Sequence, residues 1–159
     1  EEMARATAPF AQKPGDVTAL RDKLLDVMWE DVGVMRDADG LQRGLQRIDE
    51  IDDALSSTGV AADNLAFNLS WHDWLNLRSL VDMSRVIAQS ALSRENSRGA
   101  HFREDHPDAG AMQDSYFTLA TGSDKNISVA RAPVQFTIVK PGETLLGADE
   151  AETLVGAAE

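Results

Sequence analysis

Apolar residues recur at intervals of three and four in three separate stretches of the chain. Such spacing places the apolar side chains on one side of an α-helix, so it predicts amphipathic helices over about residues 17–36, 41–56 and 71–96. Turn-forming residues separate the stretches. Three amphipathic helices in succession predict a mainly α chain built around a three-helix bundle.

The second predicted helix shows one narrow apolar seam and a charged back. We expect its acidic residues to be solvated, because an open helix face is the usual place for charge. These residues are Asp49, Glu50, Asp52 and Asp53. Gly59 follows the helix, where a glycine commonly supplies a left-handed C-terminal position.

Apolar residues nearly encircle the third predicted helix, which therefore has to be covered on more than one side, by this chain or by a partner. Trp29 lies on the apolar stripe of the first helix and is expected in the core. Trp71 and Trp74, at the start of the third helix, are expected to clamp the preceding connection onto the bundle.

The pattern changes after Pro107 and Gly110. Short β-prone stretches on either side of residues 121–126 predict a β-hairpin with a long loop. The predicted organisation is a lead-in or linker over 1–16, a bundle over 17–110, a hairpin extension over 111–140 and an acidic flexible tail over 141–159.

Charge and composition exclude several classes of function. Lys and Arg total 15 against 27 Asp and Glu, a formal charge of −12, which argues against binding nucleic acid or anionic lipid. No apolar run is long enough to span a membrane, and no signal peptide is recognisable. The lack of cysteine excludes disulfides, thiol catalysis and iron–sulfur ligation by these residues.

The eleven glycines never fall as G-x-G or as G-x-x-x-x-G-K. Both standard phosphate-binding loops depend on such glycines, so we expect this chain to bind no dinucleotide cofactor itself. The chain begins Glu1-Glu2 and not with methionine, which we take as an indication of a longer parent.

Two catalytic arrangements are considered for the histidines. His101 and His106 lie near two carboxylates, but their spacing places them on different faces of a helix, which disfavours a metal site. Ser97, His101 and Asp105 mimic a hydrolase triad in order only, since three residues on one helix provide no oxyanion hole. A hydrolase or metalloprotein is therefore the weakest hypothesis, and no metal is predicted.

The segment 93–107 differs most from the rest of the chain, because it concentrates three arginines in an acidic protein. They fit two interpretations: cations that complement the C-terminal end of a helix, or planar donors for carboxylates or carbonyls at an interface. Gly99-Ala100 would let another backbone approach closely.

This segment resembles the signature of the succinate dehydrogenase/fumarate reductase flavoprotein subunits, whose relatives include L-aspartate oxidase and adenylylsulfate reductase. The similarity lies in the string Arg94-x-x-Ser97-Arg98-Gly99-Ala100-His101-x-Arg103-x-Asp105-x-Pro107. Supporting similarity is found in Met28–Arg36, Leu75–Leu80 and Arg131–Val134, so that the resemblance covers roughly residues 17–140.

The resemblance implies a three-helix, spectrin-repeat-like bundle with a C-terminal β-hairpin, packed on the FAD-binding domain of a parent oxidoreductase. It implies FAD in that parent, none bound by this segment, and no catalytic residue here, because the family's catalytic groups lie upstream. Succinate, fumarate, aspartate and adenylylsulfate chemistries share the scaffold. An iron–sulfur subunit is a further partner that it allows, and a cytoplasmic location, with membrane association through partner subunits, is the expectation.

Five residues are predicted at an interface with the flavin domain: Arg94, Ser97, Arg98, His101 and Arg103. Arg98 and His101 are the strongest candidates among them. The alternative from another class is a free-standing helical interaction module without enzymatic activity, whose third helix binds a partner helix or a second copy.

Overall fold

The computed structural model describes residues 2–61, 64–123 and 125–145. Three helices form the bundle, α2 (Val17–Glu30), α3 (Ala38–Ser56) and α4 (Leu69–Ser93), and a shorter α1 (Glu2–Thr7) precedes them. The remaining elements are β1 (Met35–Arg36), β2 (Phe102–Arg103), β3 (Tyr116–Ser123) and β4 (Asn126–Pro133). The predicted mainly α architecture with a C-terminal hairpin is confirmed.

Each bundle helix begins at a side chain that accepts a hydrogen bond from an otherwise unpaired backbone N–H. Asp16 Oδ1 accepts from Ala19 N at 2.9 Å, and Asp37 Oδ1 accepts from Gly40 N at 2.6 Å. Asn68 performs the same role for α4. These caps explain where the helices start, since Asp and Asn are among the best N-cap residues.

The apolar sides of the three helices meet in one core. Its fully buried side chains come from α2, α3 and α4 alike. They include Leu24, Val27, Leu41, Ile48, Leu55, Leu77 and Val81. The helical periodicity of the sequence therefore identifies the elements that build the core.

The helix boundaries differ from the prediction. The first bundle helix ends at Glu30, short of residue 36, because residues 35–36 form β1. The second begins at Ala38, directly after the Asp37 cap, and the third runs from Leu69 to Ser93. Burial of Trp29 was also a wrong prediction: its side chain is 80% exposed, since the buried face of α2 carries Leu24 and Val27.

The acidic back of α3 is not uniformly solvated, which corrects a second expectation. Asp52 is only 3% exposed. Arg78 and Arg85 of α4 both donate to its carboxylate, and Arg85 also reaches Asp49 at 2.8 Å. An interhelical ion-pair network therefore joins α3 to α4.

Within the predicted lead-in 1–16, the described residues contain α1 and a 3₁₀ turn at Ala8–Ala11, and they pack on the bundle. The rings of Phe10 and Trp71 lie 5.4 Å apart, and Trp71 Nε1 donates to Ala6 O at 2.7 Å. Trp74 Nε1 donates to Thr58 O at 2.9 Å. The two tryptophans thus contact the N-terminal segment and the residues that follow α3.

Gly59 is required for close backbone approach and not for a left-handed conformation. It is absent from the glycines with positive φ. Its N–H donates to Lys13 O at 2.8 Å, and a Cβ placed on it would lie 2.2 Å from Gln12 O. No side chain can occupy that space, so the glycine permits the N-terminal segment to dock against the end of α3.

The hairpin is tighter than expected. β3 and β4 pair antiparallel from Tyr116 opposite Pro133 to Ser123 opposite Asn126. The expected long loop over 121–126 is therefore wrong, because most of those residues belong to the strands. The β-prone residues 134–139 lie beyond β4. Most of the predicted acidic tail, residues 146–159, lies outside the described residues.

Candidate functional site after the third bundle helix

The chain reverses direction immediately after α4 in a tight turn. Arg98 N donates to His101 O at 2.9 Å, and His101 N donates back to Arg98 O at 3.1 Å. Gly99 has φ +58, a left-handed conformation that favours glycine. Within the described chain a Cβ on Gly99 would meet no atom within 4 Å, so this glycine serves the turn and not a close contact.

This turn is tied to the link between α2 and α3. β1 and β2 pair in parallel, with Met35 opposite Phe102 and Arg36 opposite Arg103. Glu104 N donates to Arg36 O at 2.7 Å. Asp105 Oδ2 accepts from Ala38 N at 2.9 Å, at the first residue of α3. Segments some 65 residues apart in sequence are thereby joined at one end of the bundle.

Arg103 lies at the centre of these contacts, and its side chain is 2% exposed. It makes a two-pronged pair with Asp105, Nε to Oδ1 and Nη2 to Oδ2, both at 2.7 Å. Its Nη1 donates to the carbonyls of Ala91, Leu92 and Arg94 at 3.1–3.2 Å. Arg103 therefore satisfies the C-terminal carbonyls of α4, as the helix-end interpretation predicts.

The Arg103–Asp105 pair has an electrostatic signature at both groups. The guanidinium of Arg103 holds the pKa of Asp105 far below its ordinary range, and the N–H of Ala38 acts in the same direction. The hydrogen bonds to Asp105 raise the pKa of Arg103 despite the opposing effect of burial. Both shifts favour the ionised form of the pair.

Ser97 and Arg98 are also engaged within the chain. Ser97 Oγ accepts from Arg103 N and donates to His106 O, both at 2.8 Å. Arg98 donates to the carbonyls of Ala109 and Ala111, and its Nη1 donates to the Ser115 hydroxyl at 2.9 Å. Arg98 therefore fastens the segment that leads into the hairpin.

His101 is 7% exposed and lies between two arginines. Its Nδ1 is 3.0 Å from Arg36 Nη1, and its Nε2 is 3.4 Å from Arg94 O. Because a guanidinium can only donate, Nδ1 accepts and the ring proton sits on Nε2. Burial lowers the pKa of His101, and the charges of Arg94, Arg36 and Arg103 lower it further. An imidazole whose Nδ1 accepts a hydrogen bond carries no proton there, so the ring in this arrangement is neutral.

The geometry does not assemble the triad considered from the sequence. Ser97, His101 and Asp105 each use their polar atoms on other partners, as described above. Among the described residues there is also no group of three or more His, Cys, Asp or Glu that could hold a metal ion.

Arg36 is the member of this site that sequence reasoning left out of the candidate set. Its side chain contacts His101, and its backbone pairs with β2. The local pattern carries no signal for that contact, because the two residues come together only when the bundle closes. Its place in the Met28–Arg36 similarity is the one hint that the sequence offers.

The outward side of α4 forms a second candidate surface. Leu80, Met83 and Ile87 are 44%, 55% and 44% exposed, although the helix packs on α3 along its other side. A groove of about 460 Å³ runs between α2 and α4 and is lined by Val17, Leu80 and Met83 among others. The expected incomplete coverage of the third helix is thus found within the described part of the chain. In the same part, no helix combines the length and apolarity that crossing a membrane requires.

Comparison with protein families identifies the class of this bundle. Residues 21–145 match the family described as fumarate reductase flavoprotein C-term. The match covers most of the chain, from α2 through the hairpin. The chain therefore belongs to the C-terminal domain of the succinate dehydrogenase/fumarate reductase flavoprotein family, as the resemblance of the 94–107 string implies.

Individual relatives agree with this assignment. The chain is 30% identical over 159 residues to the fumarate reductase flavoprotein subunit of Haemophilus influenzae, covering 99% of this chain and 26% of that protein. It is 33% identical over 112 residues to an uncharacterised FAD-dependent oxidoreductase of Methanocaldococcus jannaschii, covering 68% of this chain and 20% of that protein. The chain thus spans about a quarter or less of the length of these relatives.

Solved structures share the fold. Sdh1 of Mycobacterium smegmatis, in complex with UQ1, superimposes with a TM-score of 0.73 at 26% identity, covering 97% of this chain and 26% of that chain. FrdA of the E. coli quinol fumarate reductase gives a TM-score of 0.77 at 22% identity, over 89% of this chain and 25% of that chain. The latter likeness concerns the fold alone.

Proposed function

We propose that this chain is the helical C-terminal domain of an FAD-dependent oxidoreductase of the succinate dehydrogenase/fumarate reductase type. In that parent the FAD and the catalytic groups belong to the FAD-binding domain, and the parent transfers hydride between a dicarboxylate-like substrate and the flavin. The bundle itself is not catalytic. Its role is to pack on the FAD-binding domain and to stabilise it.

The observation that carries this proposal is the family match over residues 21–145 together with the uncovered side of α4. Leu80, Met83 and Ile87 recur at helical spacing, so their half-exposed side chains form one apolar stripe. Such a stripe is characteristic of a surface that another polypeptide covers. The domain lacks a phosphate-binding loop, so packing through this stripe is the contribution to a flavoprotein that its structure best supports.

The five residues predicted at the interface act, in this proposal, at two levels. Ser97 and Arg103 shape the turn from within, since their polar atoms are used inside the chain. Arg98 positions the hairpin through Ser115. His101 is buried, whereas Arg94 is half-buried, so of these two residues Arg94 is the one that a partner can reach.

An iron–sulfur subunit is a further proposed partner, because the chain belongs to a flavoprotein family whose members include subunits of succinate dehydrogenase and fumarate reductase. A cytoplasmic location, with attachment to the membrane through partner subunits, follows from the same proposal. The net charge of −12 disfavours direct contact with anionic lipid.

The test uses the full natural polypeptide that carries this chain, purified with and without Met83→Glu. We expect the unchanged protein to retain FAD through gel filtration and the variant to lose at least half of it, because a charge on the stripe weakens domain packing. Met112→Glu is the matched control, since Met112 is 56% exposed but lies outside α4.

The isolated chain provides the stability control. Met83 is exposed there, so Met83→Glu should leave its urea midpoint unchanged. A natural polypeptide that holds no flavin would refute the proposal and favour the free-standing module. Equal FAD retention by Met83→Glu and Met112→Glu would refute the assigned packing surface.

A further inference from the structure

The arginines of this chain fall into two groups by their partners. Of its eleven arginines, seven form ion pairs with carboxylates. They are Arg5, Arg21, Arg43, Arg47, Arg78, Arg85 and Arg103. The other four have no carboxylate at ion-pair distance within the described ranges: Arg36, Arg94, Arg98 and Arg131. In a chain with 27 acidic residues, four arginines without one are unexpected.

All four of these arginines lie in segments that meet near the C-terminal end of α4. Arg131 Nη2 donates to Ser93 O at 2.7 Å, and its guanidinium lies 4.8 Å from the centre of the Tyr116 ring. Arg98 is committed to two carbonyls and the Ser115 hydroxyl. These two arginines are therefore satisfied by neutral groups, and each has a defined structural task.

Arg36 and Arg94 differ from the other two. The Nε of Arg36 donates to the carbonyls of Val32 and Gly33, and its Nη1 faces the neutral ring of His101. The side chain of Arg94 makes a 3.4 Å contact with Asn96 Oδ1. Burial and the charge of Arg94 lower the pKa of Arg36. Two half-buried cations thus lie close together here, and among the described residues neither has a carboxylate at ion-pair distance.

His101 bridges Arg36 and Arg94 and leaves their positive charge uncompensated. Its Nδ1 accepts from Arg36 and its Nε2 faces the carbonyl of Arg94, so the ring bridges the two residues without adding charge. A carboxylate would be worth more here than on an open surface, because half-buried groups are less screened by solvent.

Exposed apolar side chains lie in the segment that precedes Arg36 and in the strand paired with it. Trp29, Val34 and Met35 line one depression together with Glu30, and the three apolar residues are 80%, 71% and 63% exposed. Phe102, 38% exposed, stands opposite Met35 in the β1–β2 pair. Protein interfaces are enriched in arginine, methionine and aromatic residues. A small soluble anion would contact only the arginines.

We propose that Arg36 and Arg94 bind an aspartate or glutamate side chain of the FAD-binding part of the parent polypeptide, beside apolar contacts to Trp29, Met35 and Phe102. This inference rests on the proposed function. The occupant follows from charge complementarity and from length, since the related flavoprotein subunit is about four times as long as this chain. Most of the polypeptide that it can dock against is therefore the rest of the same molecule.

The experiment converts each arginine in turn to a primary amine in the full natural polypeptide, as Arg94→Lys and Arg36→Lys. A carbodiimide then joins an amine only to a carboxylate that touches it, and mass spectrometry identifies the linked peptides. Arg131→Lys is the matched control, because Arg131 is another arginine without a carboxylate but has its own neutral partners.

We expect at least one of the two variants to give a link from residue 36 or 94 to an acidic residue outside this chain, at fivefold or more the yield from Arg131→Lys. Links only to carboxylates within residues 1–159, links to another subunit, or yields equal to the control would each overturn the inference. Two variants are used so that a folding defect in one does not decide the result.

The flavin absorbance of the same samples separates the two proposals. Bound FAD without the expected link refutes the carboxylate site alone. A polypeptide without FAD refutes the proposed function.

Discussion

Replacing Arg103 by glutamine tests whether this residue holds the end of the bundle together. The arginine makes five hydrogen bonds, two to Asp105 and three to the carbonyls at the end of α4. Glutamine is shorter and has a single N–H₂ group, so it can replace at most one or two of these contacts. The substitution therefore leaves a buried charge-assisted network incomplete.

The size of the effect follows from the burial of the partners. Removing one member of a buried ion pair typically costs about 3–5 kcal/mol. The side chain of Asp105 is 31% exposed and keeps its bond to Ala38 N, so part of its charge stays solvated. We therefore expect the lower end, about 3 kcal/mol of unfolding free energy, which is roughly a hundredfold in the folding equilibrium.

Urea unfolding of the 159-residue chain, followed by circular dichroism, measures this loss. Arg21→Gln is the control, because Arg21 is 51% exposed and only 3.7 Å from Asp22; it should change stability by less than about 0.5 kcal/mol. A loss below about 1 kcal/mol for Arg103→Gln would refute the reasoning, since that is the value of a single ordinary hydrogen bond.

Three further predictions address other parts of the fold. The lowered pKa of His101 means that the unfolded chain binds its proton at a higher pH than the folded one, so stability should fall as the pH drops below about 6.5; urea midpoints of His101→Gln should depend less on pH, and equal slopes would contradict this. Gly59→Ala should release the N-terminal segment, since its Cβ would collide with Gln12 O; limited proteolysis should then cut before residue 17 faster, whereas Gly142→Ala, with open space around it, should not change that rate. Trp29→Ser should change the free energy of unfolding by no more than about 0.5 kcal/mol, as expected for an exposed side chain. It should also reduce hydrophobic-dye binding. A large loss of stability would contradict the exposed position of Trp29.

The sequence was sufficient for the fold because the bundle is encoded by local repetition. Leu41, Ile48 and Leu55 all lie in the core, as the narrow seam of the second helix predicts. The width of an apolar stripe is a less reliable predictor of which side chains are buried. Trp29 extends the stripe of α2 in a helical projection, yet it falls outside the neighbouring helices' reach and stays in solvent.

The site was harder to predict because its contacts join distant parts of the chain. The motif from Arg94 to Asp105 identifies the family, but it cannot show that Arg103 faces inward and Arg94 outward. Asp52 illustrates the same limit, since its arginine partners lie 26 and 33 residues away on another helix. The spacing of residues along the chain predicts which of them share a helix face. Pairing between helices depends on how the helices pack, which the spacing does not give.

The cap that Asp105 provides for the first residue of α3 has a consequence for biosynthesis. Ala38 lies 67 residues before Asp105, and a nascent chain emerges from the ribosome N-terminus first. While it is being made, α3 lacks both this bond and the strand beside β1. The bond from Ala38 to Asp105 can form only when the turn after α4 has emerged. The bundle should therefore become resistant to proteases late and in one step, once translation has passed that turn.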